Sequence, residues 1–179
     1  VKYQTSQLQA HLSYFLMKGS NLLDWVKFTP TETLFTSHNI SELTNQGIEA
    51  GLTLRLGQYL PLLGDGSKLS LDYLYMTQRH HAPRVAVSKY ALNYLRHKFT
   101  TQLSHQLSKR IEALWAFRYQ DRVNQPSPFA TLDLKVDYLV NQHLRVGLEM
   151  NNLTDTQYSD IAGVPQPGFW LSGNISYRL

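Results

Sequence analysis

The stretch PGFWLSGNISYRL, residues 167–179, is striped with a period of two along its whole length. Apolar residues such as Phe169, Leu171 and Ile175 alternate with polar residues such as Ser172. Period-two alternation is typical of a β-strand with one apolar and one polar face. We therefore predict a strand that meets a different environment on each side.

Seven further stripes of the same kind lie upstream. A helical interpretation fails, because spacing at i, i+3 and i+4 would place Asp133 and Lys135 among the leucines. The sequence predicts eight antiparallel strands, the last at 167–179 and the others at residues 6–16, 47–57, 68–78, 95–107, 111–120, 131–140 and 143–151.

The composition limits the class of protein. Of 179 residues, 42% are hydrophobic and 12% aromatic, which favours a strand-rich fold over disorder. No apolar run exceeds five residues, so a transmembrane helix of about 20 residues is excluded. A transmembrane β-barrel remains possible, because only every second residue along each of its strands is apolar.

Charge and cysteine content exclude several functions. There is no cysteine, and hence no disulfide, thiolate metal site or cysteine nucleophile. The net charge of +4 comes without a dense lysine and arginine cluster, so we expect no nucleic-acid partner.

The predicted connections alternate in length. Those after the first, third, fifth and seventh strands are long and polar, and those after the second, fourth and sixth are short. This is the arrangement of outer-membrane barrels, whose short turns are periplasmic. Charges on the polar faces, such as Glu49 and Asp72, suit a wet or plugged lumen. The alternative is a soluble meander or sandwich whose polar faces point to bulk water.

No residues predict catalysis or a resident cofactor. The stretch QRHHAP contains His80 and His81, but adjacent residues of an extended segment point to opposite sides and chelate one metal poorly. A Gly-x-Ser-x-Gly nucleophile motif is absent. We therefore expect no enzyme activity and no metal site.

Ligand contact is expected in the long loops. Residues 79–89 carry basic groups and no acid, which would suit an anionic chelate or lipopolysaccharide phosphates equally. Solvated side chains that contact nothing but water or lipid headgroups are the alternative. The candidate ligand-binding residues are Trp25, Lys27, His80, His81, Arg84 and Tyr158.

Three stretches resemble a known family. NNLTDTQYSDIAGVPQPGFWLSGNISYRL (151–179) is similar to the C-terminal signature of TonB-dependent outer-membrane receptors, with Asn-Leu-Thr-Asp, a tyrosine three residues on, and a Pro-Gly turn into the last strand. GSNLLDWVKF (19–28) followed by SHNISELTNQGIEAGLTLRL (37–56) resembles the strand pair of these receptors in which an Asn-rich loop leads into a Gly-Ile-Glu strand. SKYALNYLRHKFTTQLSHQLS (88–108) resembles another strand, particularly of Bacteroidetes-type, cobalamin-receptor-like members.

The resemblance implies a transporter in the outer membrane of a Gram-negative bacterium. It would import a scarce nutrient, such as an iron–siderophore complex, haem or cobalamin, with energy from TonB. Such receptors have about 22 strands and a plug domain. The present chain, residues 1–179, would be one transmembrane barrel segment without the plug, and lumen residues such as Lys98 and Asp133 would hold that plug.

The resemblance also assigns the last strand. Its apolar stripe would face membrane lipid and lipopolysaccharide, and the residues concerned are Phe169, Leu171, Ile175, Tyr177 and Leu179. The family usually ends on an aromatic residue, where this chain has Leu179. The second hypothesis is a self-contained eight-stranded outer-membrane protein with a structural or adhesive role, since eight strands can close into a small barrel.

Overall fold

The structure is a computed structural model that describes residues 1–81, 84–123, 125, 127–161 and 164–178. None of its described helices is long and apolar enough to cross a membrane. A 3-10 turn, Pro61–Leu63, is part of one connection. The strands are β1 (Lys2–Gln4), β2 (Leu8–Lys27), β3 (Thr36–Arg55), β4 (Lys68–His81), β5 (Val87–Ser88), β6 (Leu95–Ser108), β7 (Ile111–Arg122), β8 (Phe129–Leu139), β9 (Leu144–Asn151), β10 (Ser159–Ile161), β11 (Val164–Pro165) and β12 (Trp170–Tyr177).

One antiparallel sheet contains all the predicted strands. Its order is β1-β2-β3-β4-β6-β7-β8-β9-β12, so neighbours in the sheet follow one another along the chain as in an up-and-down barrel wall. The eight predicted strands are confirmed as β2, β3, β4, β6, β7, β8, β9 and β12. Among the described residues no pairing joins β1 to β12, and the sheet is therefore open.

The first hairpin differs from the prediction. Residues 18–39 were expected in a long loop, but residues 18–27 and 36–39 lie in β2 and β3, which are 20 residues long each. Connection 28–35 is consequently shorter than connection 56–67, so the prediction that long and short loops alternate strictly is wrong at this point. The backbone ladder continues from Leu16 opposite Gln46 to Val26 opposite Thr36 although the apolar stripe has stopped.

The remaining connections follow the expected alternation. Residues 82–94, 123–128 and 152–169 connect strands at the same end of the sheet as connection 28–35. At the opposite end lie connection 56–67 and the short turns 109–110 and 140–143. The structure thus has one end with mostly long connections and one with mostly short ones.

The sheet is a single layer whose apolar face is open. Leu12, Tyr14, Ile48 and Ile175 are 52%, 66%, 45% and 76% exposed. Soluble domains bury such a face against a second layer. Here the buried apolar side chains of the described residues are few and scattered, namely Val26, Leu92, Ala113 and Phe129.

Candidate functional site: the polar face and two folded loops

An ion-pair network covers the polar face of β7, β8 and β9. Arg145 Nη1 lies 3.1 Å from Glu112 Oε2 and 3.9 Å from Asp137 Oδ2. Lys135 Nζ lies 3.1 Å from Glu149 Oε1 and 3.9 Å from Asp137 Oδ2. These side chains are partly exposed, so each pair contributes only about 0–1 kcal/mol. Their main consequence is that these five charges are paired with one another.

The other half of the polar face, formed by β2, β3, β4 and β6, has no such network. His11, Glu49, Asp72 and Lys98 line a groove of about 230 Å³. Within the described ranges, no ion pair includes any of these four residues. An added Cβ at Gly51 would lie 2.6 Å from His11 Nδ1 and 2.7 Å from Asp72 Oδ1, so the glycine makes room for both side chains. These charges remain available to a partner.

The loop after β4 folds back to β2. Within it β5 pairs with the free edge of β2, where Val26 lies opposite Ser88 and Lys27 opposite Val87. The backbone N–H of Lys89 extends this pairing by donating to Trp25 O over 2.9 Å. We call residues 84–94 the clamped loop.

Buried side chains hold the clamped loop. Asp24 is 2% exposed, and its Oδ2 accepts hydrogen bonds from Ser88 Oγ and from the Ala91 backbone N–H, the latter over 2.9 Å. Gln78 Nε2 donates to Ala91 O and to Asn45 Oδ1, each over 2.9 Å. Both backbone groups of Ala91 are therefore bound by side chains of the sheet. Three strands, β2, β3 and β4, take part in this clamp.

The loop between β9 and β12 is organised by Asn152, which is 3% exposed and has a positive φ of 50°. Its Nδ2 donates to Thr156 O at 2.9 Å and to Pro167 O at 3.2 Å, and its Oδ1 accepts from the Thr156 N–H at 3.0 Å. Its backbone N–H donates to Asp133 Oδ1 at 2.7 Å. Asparagine tolerates this left-handed conformation, which explains the residue type. We call residues 152–161 and 164–169 the terminal loop.

The Pro-Gly turn belongs to the same arrangement. Asp155 Oδ1 accepts a hydrogen bond from the Phe169 N–H at 2.8 Å. An added Cβ at Gly168 would lie 2.2 Å from that oxygen, so the glycine is required by close approach. The Asn-Leu-Thr-Asp and Pro-Gly elements of the sequence signature therefore contact each other.

Tyr158 lies against the sheet in a cluster around Arg118. Arg118 Nη2 donates to Tyr158 Oη at 3.0 Å, and Nη1 lies 3.4 Å from Asp160 Oδ2. The rings of Phe129 and Tyr158 stack with centroids 4.5 Å apart. The guanidinium lies 5.6 Å from the first ring centroid and 5.2 Å from the second. This cluster ties the terminal loop to β7 and β8.

The six predicted ligand-binding residues all lie at the end of the sheet that has the longer connections, but most are not in loops. Trp25 and Lys27 end β2, and His80 and His81 end β4, so their placement in loops was wrong. They lie in strands because β2 and β4 extend beyond their apolar stripes. Arg84 lies in the clamped loop, where a loop residue was expected. Its φ is 70°. The His81 side chain lies outside the described part.

The structure associates Lys27 with residues that the sequence analysis did not select. Lys27 Nζ lies 4.8 Å from the ring centroid of Phe35, and Lys89 Nζ lies 5.8 Å from the same centroid. Asp24, which holds the loop, was also missed. The available signal was an acid in an otherwise apolar stretch, Leu-Leu-Asp-Trp-Val, where an ionised group needs partners.

The residues predicted to face lipid along the last strand are exposed to different extents. Phe169, Leu171, Ile175 and Tyr177 are 48%, 56%, 76% and 65% exposed, although Phe169 precedes β12. Leu179 lies outside the described residues. Among the described residues no group of three or more histidine, aspartate or glutamate side chains is arranged to hold a metal ion.

A family model supplies the decisive comparison. The model described as "TonB dependent receptor-like, beta-barrel" matches residues 1–153. The chain belongs to the TonB-dependent receptor family. Its sheet is accordingly the antiparallel wall of a TonB-dependent receptor barrel, present as an open segment. No curated protein sequence matches the chain significantly.

Solved structures share this fold at low sequence identity. The chain is similar to a copper transporter, OprC, with a TM-score of 0.74, 15% identity and coverage of 98% of this chain and 28% of that one. It is similar to the FrpB iron transporter from Neisseria meningitidis with a TM-score of 0.70 and 17% identity, over 98% of this chain and 30% of that one. It is also similar to a mutant ferric enterobactin receptor from Pseudomonas aeruginosa with a TM-score of 0.66 and 20% identity, over 98% of this chain and 29% of that one. The chain thus spans less than a third of the length of these TonB-dependent receptor structures.

Proposed function

We propose that this chain is the C-terminal part of the barrel of a receptor that imports a scarce nutrient across the outer membrane of a Gram-negative bacterium. The observation that carries the proposal is the open apolar face of a single-layered sheet in a chain of this family. In lipid, a sheet of this kind needs no second protein layer, because hydrocarbon covers the apolar face.

The orientation follows from the connections. In outer-membrane barrels the long loops are extracellular and the short turns periplasmic. The end with the clamped loop and the terminal loop is therefore outside, and β12 runs toward the periplasm. Phe169, Leu171, Ile175 and Tyr177 would then face lipid or lipopolysaccharide at the last strand.

The polar face would contact a plug domain that responds to TonB. Lys98 has no ion-pair partner among the described residues and is free to make such a contact. Asp133 is already bound by the Asn152 N–H, so it would act by holding the terminal loop as well. The half of the face with His11, Glu49 and Asp72 is the better plug-binding surface, because the charges of the other half are mutually paired.

The substrate class is a small-molecule metal complex. The family relationship and the similar structures, a copper transporter, an iron transporter and a ferric enterobactin receptor, support a metal ion or siderophore complex. Haem and cobalamin are the other candidates from the sequence. The described residues at the outer end, including Trp25, Lys27, His80, Arg84 and Tyr158, are proposed to contribute to ligand contact, and we expect no catalysis.

The experiment is nutrient uptake by cells that depend on the receptor carrying this segment. Deletion of its gene should abolish uptake of one class of radiolabelled metal chelate, and a tonB deletion should abolish it equally. Unchanged uptake in both strains would refute the proposal. The isolated chain should bind the transported chelate only weakly, because the plug contacts are missing; tight binding in a titration would contradict that part.

The alternative of a closed eight-stranded barrel finds less support. It requires β12 to pair with the first strands, whereas the described sheet leaves its two edges apart. The reading frame upstream of the Val1 codon separates the two hypotheses. A signal peptide directly before Val1 would support the small barrel, and a plug with further strands would support the receptor.

A further inference from the structure

We infer that Lys27 and Lys89 form an anion-binding site on the outer end of the first hairpin, together with the rings of Phe35 and Tyr90. The site would take a soluble, multiply charged anionic metal chelate. This inference rests on the proposed function only for its orientation, which places this end of the sheet outside the cell.

The geometry brings two cations to one aromatic ring. Lys27 Nζ is 4.8 Å and Lys89 Nζ is 5.8 Å from the Phe35 centroid, and Lys89 Nζ is 5.6 Å from the Tyr90 centroid. Each ammonium gains a cation–π contact, but the two positive charges also repel each other. An anion bound by both ammonium groups would offset that repulsion.

Nearby acids do not neutralise the pair. Asp24, three residues before Lys27, is buried and bound by Ser88 and Ala91. Glu32 is the only acid in connection 28–35, and its oxygens accept from the Phe28 N–H at 3.0 Å and from Thr29 Oγ1 at 3.4 Å. Within the described ranges neither lysine forms an ion pair. Residues 82–94 contain no acid at all.

The two lysines are held by backbone, which makes this a preorganised site. Lys27 lies in β2 opposite Val87 of β5, and the Lys89 N–H is bonded to Trp25 O. The hydrogen bond from the Ala91 N–H to Asp24 holds the same loop two residues after Lys89. A preorganised site loses less conformational entropy when it binds a ligand.

The height of the site favours a soluble anion over a lipid phosphate. The apolar stripe of β2 ends at Leu16 and is followed by Lys18, which marks the headgroup level. Lys27 is nine residues further, or about 30 Å along a strand at about 3.3 Å per residue. At the tilt of such barrels this is roughly 20 Å above the headgroups, beyond the phosphates of a lipid anchor.

The test compares two double variants of the full receptor that carries this segment, purified in detergent. K27Q/K89Q removes both charges of the site, and K68Q/K109Q removes two lysine charges at the opposite end of the sheet. The probes are a trianionic ferric tris-catecholate chelate and a neutral ferric tris-hydroxamate chelate, titrated at low and high salt. Heat-modifiable migration in SDS confirms that each variant folds.

We expect K27Q/K89Q to weaken binding of the trianionic chelate about tenfold, which corresponds to about 1.4 kcal/mol. High salt should abolish the difference, since exposed charges are screened. The K68Q/K109Q variant and the neutral chelate should show no change. Equal losses in both double variants, or no loss in K27Q/K89Q, would overturn the site while leaving the receptor function, which the uptake assay tests separately, unaffected.

A third arm uses vesicles that contain lipid A. Lys18→Gln should weaken association with these vesicles, and K27Q/K89Q should not. If instead K27Q/K89Q loses lipid A binding and keeps chelate binding, the site recognises lipid phosphate and the inference is wrong.

Discussion

The carboxylate of Asp24 accepts a hydrogen bond from the backbone N–H of Ala91, which is 2.9 Å away and 67 residues later in the chain. Asp24 lies in β2 and Ala91 in the clamped loop that connects β4 to β6. The contact joins β2 to the loop after β4, so a buried side chain helps to fix where that surface loop lies.

Asp24→Ala should release the clamped loop. It removes the acceptor of the Ser88 hydroxyl and the Ala91 N–H, and losing partners of buried donors costs about 1–3 kcal/mol each. Hydrogen exchange at Ala91 and Leu92 should accelerate about a hundredfold, since protection follows local opening. Asp65→Asn, in the exposed connection after β3, is the control and should leave exchange in this loop unchanged. Unaltered protection in D24A would contradict the clamp.

Asn152→Ala should destabilise the terminal loop. The change removes four side-chain hydrogen bonds and places alanine at a positive φ, which together should lower the free energy of unfolding by about 2–4 kcal/mol. Urea unfolding in detergent measures this. Asn151→Ala is the matched control, because the Asn151 side-chain nitrogen is buried without a partner in the described structure. Equal effects of the two substitutions would show that Asn152 is not the organiser.

Glycines of the sheet should differ in their tolerance of alanine. A Cβ at Gly47 would lie 2.3 Å from the backbone oxygen of Tyr75, and at Gly147 2.4 Å from the flexible carboxylate of Asp137. At Gly173 the nearest atom is 3.9 Å away. We predict losses of stability in the order G47A, G147A, G173A, with overpacking costing about 1–3 kcal/mol where the neighbour must move. The yield and unfolding midpoint of each refolded variant test this order; a G173A variant as unstable as G47A would contradict it.

The regular part of this fold was predictable and the loops were not. Period-two stripes located all eight main strands because each strand of the sheet separates an apolar from a polar side. The outer ends of β2 and β3 were missed since they lie beyond the stripe, where backbone pairing continues without any apolar requirement. For the same reason Trp25 and Lys27 were assigned to a loop.

The candidate site was only partly visible in the sequence. Lys27 and the basic character of residues 79–89 were recognised, but their meeting at Phe35 depends on how the clamped loop crosses to β2. Asp24 and Gln78, which make that crossing, are far apart in sequence. Such contacts carry no local pattern.

A charged residue introduced on the apolar face should lower the folding stability only when the protein is in a bilayer. Ile175→Arg should lower stability by about 2–4 kcal/mol if the residue lies near the midplane. Ser172→Arg is the control, since Ser172 lies on the polar face with Glu149 3.5 Å away. Folding titrations in liposomes should separate the two variants. If S172R is as destabilising as I175R, the assigned faces are wrong.

The most direct test of the account is the environment of alternate residues along β12 in liposomes. Spin labels attached singly at positions 171, 172, 174 and 175 report collisions with oxygen, which concentrates in lipid, and with a water-soluble nickel chelate. A membrane-spanning barrel wall should show high oxygen and low nickel accessibility at positions 171 and 175, and lower oxygen accessibility at positions 172 and 174. Nickel accessibility that is equally high at all four positions would contradict a membrane-spanning barrel wall.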